Sequence, residues 1–447
     1  MLPRDARGGN RASSTAARHF RHDISASDRR DHAAVNASKP RRALVIGGSM
    51  SGLFAAILLR RAGWDADIYE RVDVGLIGRG AGIVTHAELR TVLRAAGCDP
   101  SEDFGVEITM RRTLDRTGVL AGELVCPQTS TSWDRVFRML REQCPDERYH
   151  IGKELQCIDD AGDRVVAHFA DGTSAEGDLL VGADGFRSNV RADVLPAVKP
   201  VYAGYVGWRG LVDEDALPAP VHADVFEAMV FGLPPNEQFI CYPVAGRDND
   251  LRPGHRRCNF VWYRPAEESS ELRQLLTDAS GRFHALGIPP PLVRTEVIAS
   301  LREASRTLLA PQLDAVVRLA PLPFLQPIFD VETPHMVVGR VAIVGDAAFL
   351  ARPHVAAGVT KAAEDAMALA NALRVHDDVA AALAAFQRER LPVNRRIMQR
   401  GRELGGYLQP HLLSPVALAA AERHHGPETV MSEIAVLDFL KDGRLSG

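Results

Sequence analysis

Apolar positions begin to recur regularly only at residue 41. Ala43 to Ile46 is a continuous apolar run of strand length, Leu53, Ala56, Ile57 and Arg60 fall at helical spacing, and Ala66 to Tyr69 reads as a second strand. A glycine-rich turn, Gly47 to Gly52, separates the first strand from the helix, and Gly63 stops the helix. Strand, helix and strand in this order predict a βαβ unit and with it a parallel sheet.

Further along, "DRVVAHFADGTSAEGDLLVGADGFRSNVR" predicts a strand, a hairpin turn at Asp171-Gly172, a return strand and a second glycine-rich turn that runs into a helix. Residues 196 to 334 change character. Short β-prone pieces ("AGYVGWRGLV", "QFICYPVAG", "CNFVWYR") alternate there with one helical segment near 268 to 286, and loops fall at the Pro and Gly clusters of 218–220 and 288–291. The apolar run "VAIVG" at 341 restores the strand pattern, followed by a helix from Thr360 to Leu373. Its apolar positions Ala363, Met367, Ala370 and Leu373 face one way, and Lys361 and Asp365 pair at i,i+4 on another face. The expected organisation is a discontinuous dinucleotide-binding domain, 40–195 and 335–400, interrupted by a β-rich domain, 196–334. Apolar helical pieces in 401–447 are expected to pack on the first domain or on a second subunit, as in a homodimer.

Composition narrows the function classes. The 447 residues are 46% hydrophobic and 25% charged, as in ordinary globular proteins, and the net charge of −4 gives no basic face for nucleic acid. No apolar run reaches the roughly 20 residues of a membrane span. Six scattered cysteines, none at CxxC spacing, predict reduced thiols and a cytoplasmic protein without a metal site. The first 39 residues, rich in Arg, Ser, Ala and Asp and without periodicity, are expected to form a disordered tail.

Three short motifs carry the chemistry. Gly47-Gly48-Ser49-Met50-Ser51-Gly52 fits GxGxxG with Ser49 at the second glycine: Gly47 serves a tight turn, the middle position brings N–H groups to a pyrophosphate, and Gly52 allows helix and strand to pack closely. Glu70, 18 residues beyond Gly52, ends the second strand where an acid can take ribose hydroxyls. "GADGFRSNVR", with Asp184, and "GDAAFLARPHVAAGVTKAAEDA", with Asp346 just after a buried strand, are on their own ordinary turn and helix-start sequences.

Taken together, and with "GGSMSGL", "TSWDR", "DERYH", "YAGYVGWRG", "YPVAGR" and "RPHVAAGVTKAAEDA", these motifs resemble the class A flavoprotein aromatic hydroxylases of the p-hydroxybenzoate hydroxylase fold, in their dihydroxypyridine-type branch, from about 41 to 400. The resemblance implies an α/β protein: an FAD-binding, Rossmann-like domain of glutathione-reductase type with an inserted, mostly β substrate domain. It also implies an enzyme that reduces FAD with NADH or NADPH, forms a flavin C4a-hydroperoxide with O2, and hydroxylates a small electron-rich ring of hydroxypyridine type.

Carried over by position, the cofactor residues implied are Gly47, Ser49, Met50, Ser51, Gly52, Glu70, Arg71, Arg79, Asp184, Asp346, Gly358, Val359 and Thr360. Asp184 would contact both FAD and the nicotinamide nucleotide, and Asp346 the ribityl chain. Ring activation needs a base or polarising donor, so His354, Tyr242 and Pro353 are the catalytic candidates, and Tyr205, Arg209, Tyr242 and His354 the substrate contacts. Trp208 and Trp262 are expected to pack. The chain departs from the family at Phe349, at Ala356-Ala357-Gly358, at Lys361 where asparagine is usual, and at Trp133 where many relatives have arginine. A hydroxylase of another phenolic or natural-product ring and a non-catalytic flavin sensor or scaffold are the alternatives. A halogenase is disfavoured because "GWRG" is not WxWxIP.

Overall fold

Four parallel strands end at one level. In the computed structural model, which describes residues 41–73, 82–101 and 104–441, Arg42–Ile46 pairs with Asp65–Tyr69 on one side and Leu179–Gly182 on the other, and Leu179–Gly182 pairs with Val341–Ile343. Ile46 lies opposite Tyr69 and Gly182, and Gly182 lies opposite Ile343. Tyr149–His150 extends one edge in parallel and Val337–Val338 closes the other antiparallel. The expected βαβ opening, with its helix at Met50–Arg61, is present. So is the hairpin at Asp171-Gly172, which joins Val165–Phe169 to Ser174–Gly177 in a separate three-stranded sheet. Residues 1–39 and Arg79 lie outside the described residues.

The helix following the last strand runs from Gly358 to Val375 and packs against Met50–Arg61 and Val379–Leu404. Here the expected i,i+4 pair fails. Lys361 and Asp365 are both buried, because the helix is covered on several sides, and they turn to different partners. The Asp365 carboxylate accepts hydrogen bonds from Gly345 N (3.1 Å), Arg390 Nε (2.8 Å) and Asn394 Nδ2 (3.0 Å). One buried anion thus fixes the start of the Gly345–Ala347 turn to two helices.

The second sheet has nine strands, in the order Phe349–Leu350, Phe324–Glu332, Val201–Asp213, Arg257–Pro265, Gln238–Val244, Ala228–Gly232, Val106–Leu114, Leu120–Ser132 and Gly82–Thr85. Three of these strands precede residue 196, so the β layer is not confined to the expected 196–334 insertion. Leu120–Ser132 pairs with its neighbour Val106–Leu114 and with Gly82–Thr85, and only the parallel pairing of Val106–Leu114 with the distant Ala228–Gly232 joins the three to the insertion, which local patterning does not reveal. The helical content of that region also differs, with only Glu268–Leu272 and Arg273–Leu275 at the expected place and the longer helices at Thr295–Leu308 and Pro311–Leu319. Strands buried on both faces sort their side chains by parity. Phe239, Cys241, Phe260, Trp208 and Trp262 go to the face covered by those helices, and Ile240, Tyr242, Val261 and Tyr263 go to the other. Both tryptophans therefore pack, as expected.

Among the described residues no helix is long and apolar enough to cross a membrane. Replacing Asp365 by Asn removes the charge while keeping the shape, leaving Arg390 without its closest anion. Urea unfolding of the Asp365→Asn apoprotein is expected to show a loss of about 3 kcal/mol or more; a loss below about 1 kcal/mol would show that Glu364, 3.2 Å from Arg390 Nη2, suffices.

Candidate active site

Because the four strands end together, the residues just past them converge on one crevice: Gly47, Glu70, Ala183, Asp184 and Asp346 all line it. Such a position, outside the carboxyl ends of parallel strands, is where open α/β sheets bind ligands. The turn cannot carry side chains at two points. Gly47 has φ of +106°, and a Cβ there would lie 2.5 Å from the Ala183 carbonyl oxygen; a Cβ on Gly52 would lie 1.8 Å from that of Gly47. Glu70 Oε2 accepts from Gly48 N (2.7 Å), its Oε1 accepts from Val72 N (3.0 Å), and Tyr149 Oη donates to Gly48 O (2.8 Å). These bonds tie the glycine turn to Glu70 and Tyr149.

Ser49, Ser51 and Arg71 also line the crevice, together with Trp133, which stacks on Phe137. Met50 does not line it: it is buried in the core, because the first turn of its helix faces the sheet there. Asp184 is reached, but its carboxylate is committed to the next helix, accepting from Ser188 Oγ, Asn189 N and Val190 N. Arg191, three residues into "SNVR", is buried and donates to Phe186 O (2.5 Å) and Ala347 O (2.8 Å), joining the second motif to the third. Sequence reasoning passed over it because nothing in its neighbourhood distinguishes it from a surface arginine.

A second cavity adjoins the first, with Asp346 and Phe186 in the wall of both. The cavity face of the large sheet supplies Arg209, Tyr242, Val261 and Tyr263, and the chain after Asp346 supplies Pro353, His354, Gly358 and Val359. Thr360 is buried behind this wall with its hydroxyl 3.2 Å from His86 Nδ1. Tyr205 also lies behind it, fully buried, and is not a cavity residue as expected. Burial raises the phenol pKa of Tyr242, and raises that of Tyr263 to about 12. Tyr242 Oη donates to Gly82 O at 3.3 Å. Arg209 Nε is buried and has no hydrogen-bond partner among the described residues.

His354 takes a different part from that expected. Gln238 Nε2 donates to Tyr407 Oη (2.7 Å), which turns its Oε1 toward His354 Nδ1 (3.2 Å). Nδ1 therefore carries the proton, and Nε2 accepts from Tyr205 Oη at 2.9 Å. Burial, with Arg352 nearby, lowers the pKa of the ring to about 3. With both nitrogens engaged and so little basicity, His354 is a positioning residue of the wall and not the base for a substrate.

The remaining wall comes from the C-terminal segment. Ile434 and Ala435 border the cavity. Fully buried Arg111 donates to Met431 O (2.5 Å) and Ile434 O (2.7 Å) and also to Gln128 Oε1, while Gln128 Nε2 donates to Ala435 O (2.9 Å) and Ala435 N donates to His354 O (2.8 Å). The guanidinium caps the carbonyl end of the short helix Pro427–Glu433, where a cation is favoured. By contrast, the helix Pro415–Glu422 buries none of its residues.

The chain is similar to known flavoproteins. A family model described as FAD binding domain matches residues 328–401, and one described as FAD binding domain-like matches 202–330. The 2,6-dihydroxypyridine 3-monooxygenase of Paenarthrobacter nicotinovorans is 34% identical over 82% of this chain and 91% of its own length. The 6-hydroxynicotinate 3-monooxygenase of Pseudomonas fluorescens is 27% identical over 75% of this chain and 83% of its own. Among solved structures, 2,6-dihydroxypyridine-3-hydroxylase from Arthrobacter nicotinovorans superposes with a TM-score of 0.79 at 32% identity, covering 84% of this chain and 95% of that one.

Two measurements follow from this geometry. His354 is neutral in the fold and has an ordinary pKa near 6.5 when unfolded, so its contribution is complete above pH 6.5 and declines by about 1.4 kcal/mol per pH unit below it. Urea unfolding of the apoprotein at pH 7, 6 and 5 should show this slope, flattened in His354→Gln; coincident slopes would sink the assignment. Arg111→Met should raise KM for the ring substrate about tenfold or more while leaving FAD affinity unchanged. An unchanged KM would mean that the C-terminal wall holds itself in place.

Proposed function

Because the chain belongs to the class A FAD-dependent aromatic-ring monooxygenases, we propose that its own reaction is hydroxylation of a small hydroxypyridine-type ring at the expense of NAD(P)H and dioxygen. FAD, when bound, supplies the chemistry that side chains lack, accepting reducing equivalents and delivering one oxygen atom of dioxygen to the ring.

The crevice suits that cofactor. Its glycine turn leaves open the space that a Cβ would fill, and the carboxylate of Asp346 is 44% exposed toward the two cavities. Gly47, Ser49 and Ser51 would hold the pyrophosphate beside the helix N-terminus, Glu70 and Arg71 the adenosine ribose, and Asp346 the ribityl hydroxyls. Pro353, Gly358 and Val359 would border the ring system.

The observation that carries the substrate reading is the polar content of the second cavity. Arg209, unpartnered at Nε, faces it with Tyr242 and Tyr263, and its one histidine is spent on the wall. Such a site can hold a ring oxygen as an anion without supplying a strong base. A hydroxypyridine, with an acidic hydroxyl of its own, needs only this cation and the phenol donors to become electron-rich. The Tyr and Val side chains exclude water from the ring. Six free cysteines support a reducing, cytoplasmic setting. The exposed Leu412 and Val416 are the surface on which a second copy would seat in a homodimer.

With a panel of hydroxypyridines and phenols, a hydroxypyridine should accelerate NAD(P)H oxidation and yield hydroxylated ring in step with oxygen consumed. Arg209→Met should raise KM for it about tenfold or more. Peroxide released in place of product with every hydroxypyridine, or coupled turnover confined to phenols, would overturn the reading.

A further inference from the structure

A third cavity lies apart from the first two and shares no wall residue with either. The end of the strand Val106–Leu114, the loop after Ala228–Gly232, the end of the helix Thr295–Leu308 and the start of the helix Pro427–Glu433 surround about 560 Å3, against about 320 Å3 in the second cavity. Small-molecule sites fall in this range of sizes. Leu114, Leu233, Leu309 and Pro427 make the wall largely apolar. Polar groups around it are already engaged: Asp115 accepts from Thr117 N and Val119 N, Arg116 Nη1 donates to Thr307 O (2.9 Å), and His425 Nε2 donates to Glu237 O (3.2 Å). Thr113 differs from these, being 2% exposed with a hydroxyl that has no partner among the described residues. It lies two residues along its strand from Arg111, and so on the face covered by the helix Pro427–Glu433, where His425 and Pro427 close the cavity. Such a wall suits an uncharged, mostly apolar molecule with a single hydroxyl.

Three connections lead from this wall to that of the second cavity. The helix beginning at Pro427 ends beside Ile434 and Ala435, and at seven residues, about 10 Å, it is one stiff piece with an end at each cavity. His425 packs its ring on that of Tyr407, with 4.5 Å between centroids, and the Tyr407 hydroxyl accepts from the Gln238 side chain that orients His354. Pro234 O, in the loop, accepts from the N–H of Glu237 (3.0 Å), the neighbour of Gln238. The far end of the helix is also strained: Ala435 has φ of +56°, a left-handed conformation disfavoured for alanine, and is kept there by its bonds to His354 and Gln128. We propose that the third cavity is an effector site: a small uncharged ring bearing one hydroxyl binds there, shifts the helix Pro427–Glu433 at Pro427, and so changes the affinity of the second cavity for its own ring. An effector acts only by binding one setting of this helix better than the other, and the coupling is equal in both directions. That coupling rests on the reading of the second cavity as the substrate's site, whereas binding in the third cavity does not.

The test uses the full-length holoenzyme and 4-bromobenzyl alcohol, an uncharged ring whose single hydroxyl is not on the ring and gives no phenolate to hydroxylate. In crystals soaked with it, the anomalous signal of bromine should lie in the third cavity, between Leu114, Leu309 and Pro427. Calorimetry should show binding in solution, weaker by about threefold or more in Thr113→Val. Binding should be lost in Ala121→Phe, which fills the cavity from an exposed wall position; Thr307→Phe, also exposed, serves if that variant fails to fold. The Kd of a hydroxypyridine, read from the flavin absorbance, should shift about fivefold or more under saturating bromobenzyl alcohol. The Kd of the alcohol should shift by the same factor under saturating hydroxypyridine, and Ala121→Phe should abolish the effect on the hydroxypyridine. Bromine only in the second cavity, competition of the two rings for one site, a third cavity filled by the chain's own residues, or occupancy in the crystal without binding in solution would each overturn the proposal. So would binding in the third cavity with both Kd values unchanged. If no hydroxypyridine perturbs the flavin, the substrate reading falls instead, and the coupling is read on the phenol that does.

Discussion

The common level at which four parallel strands stop is the constraint on which the rest of the molecule depends. Ile46, Tyr69, Gly182 and Ile343 sit side by side, so every loop leaving them has to share one space. That crowding explains why the loops are made as they are. Gly47 and Gly52 are glycines because neighbouring carbonyls occupy the place of a Cβ, and Glu70, Asp184 and Asp365 each spend carboxylate oxygens on backbone N–H groups of a turn. Arg191 does the converse, tying two carbonyls from different loops. The crevice is therefore a cluster of satisfied turns whose shape is settled without a ligand.

How much of this could be read from sequence follows from how local each signal is. The glycine turn and Glu70 lie within one βαβ unit whose spacing marks them, whereas Asp184 and Asp346 read as ordinary turn and helix-start residues until the family resemblance singled them out. The strands Gly82–Thr85, Val106–Leu114 and Leu120–Ser132 pair among themselves, and only Val106–Leu114 meets a distant strand, Ala228–Gly232, so nothing near them announces the large sheet. Arg111 was hidden by a bulge. Inward residues alternate from Val106 to Ile108, the register then shifts before Met110, and the arginine turns inward where simple alternation would leave it outside. Tyr205 and His354 were each expected as substrate contacts, and it is the positions of Gln238 and Tyr407 that reveal their bond to each other. Lys361 and Asp365 were expected to pair at i,i+4, and periodicity cannot show how many sides of a helix are covered.

The two cavities divide the electrostatic work. In the crevice, charge is met by backbone N–H groups and short side chains, as suits phosphates and hydroxyls. In the second cavity the phenols are held protonated by burial and the imidazole is held neutral, so at neutral pH these groups donate or pack without changing charge. Arg209 is the cation that the large sheet turns to this cavity. Asp346, standing in both walls and facing Lys361, is the point where the two environments touch, and its pKa is raised by enclosure and lowered by the lysine.

The C-terminal wall has a consequence for how the molecule comes into being. Every side chain of the crevice named above precedes residue 366, whereas the second cavity lacks one side until Ile434 and Ala435 are in place, clasped by an arginine synthesised more than 300 residues earlier. On the ribosome, the crevice is complete in sequence well before the second cavity. A chain released a few dozen residues early would carry every named crevice residue beside a second cavity open on one side.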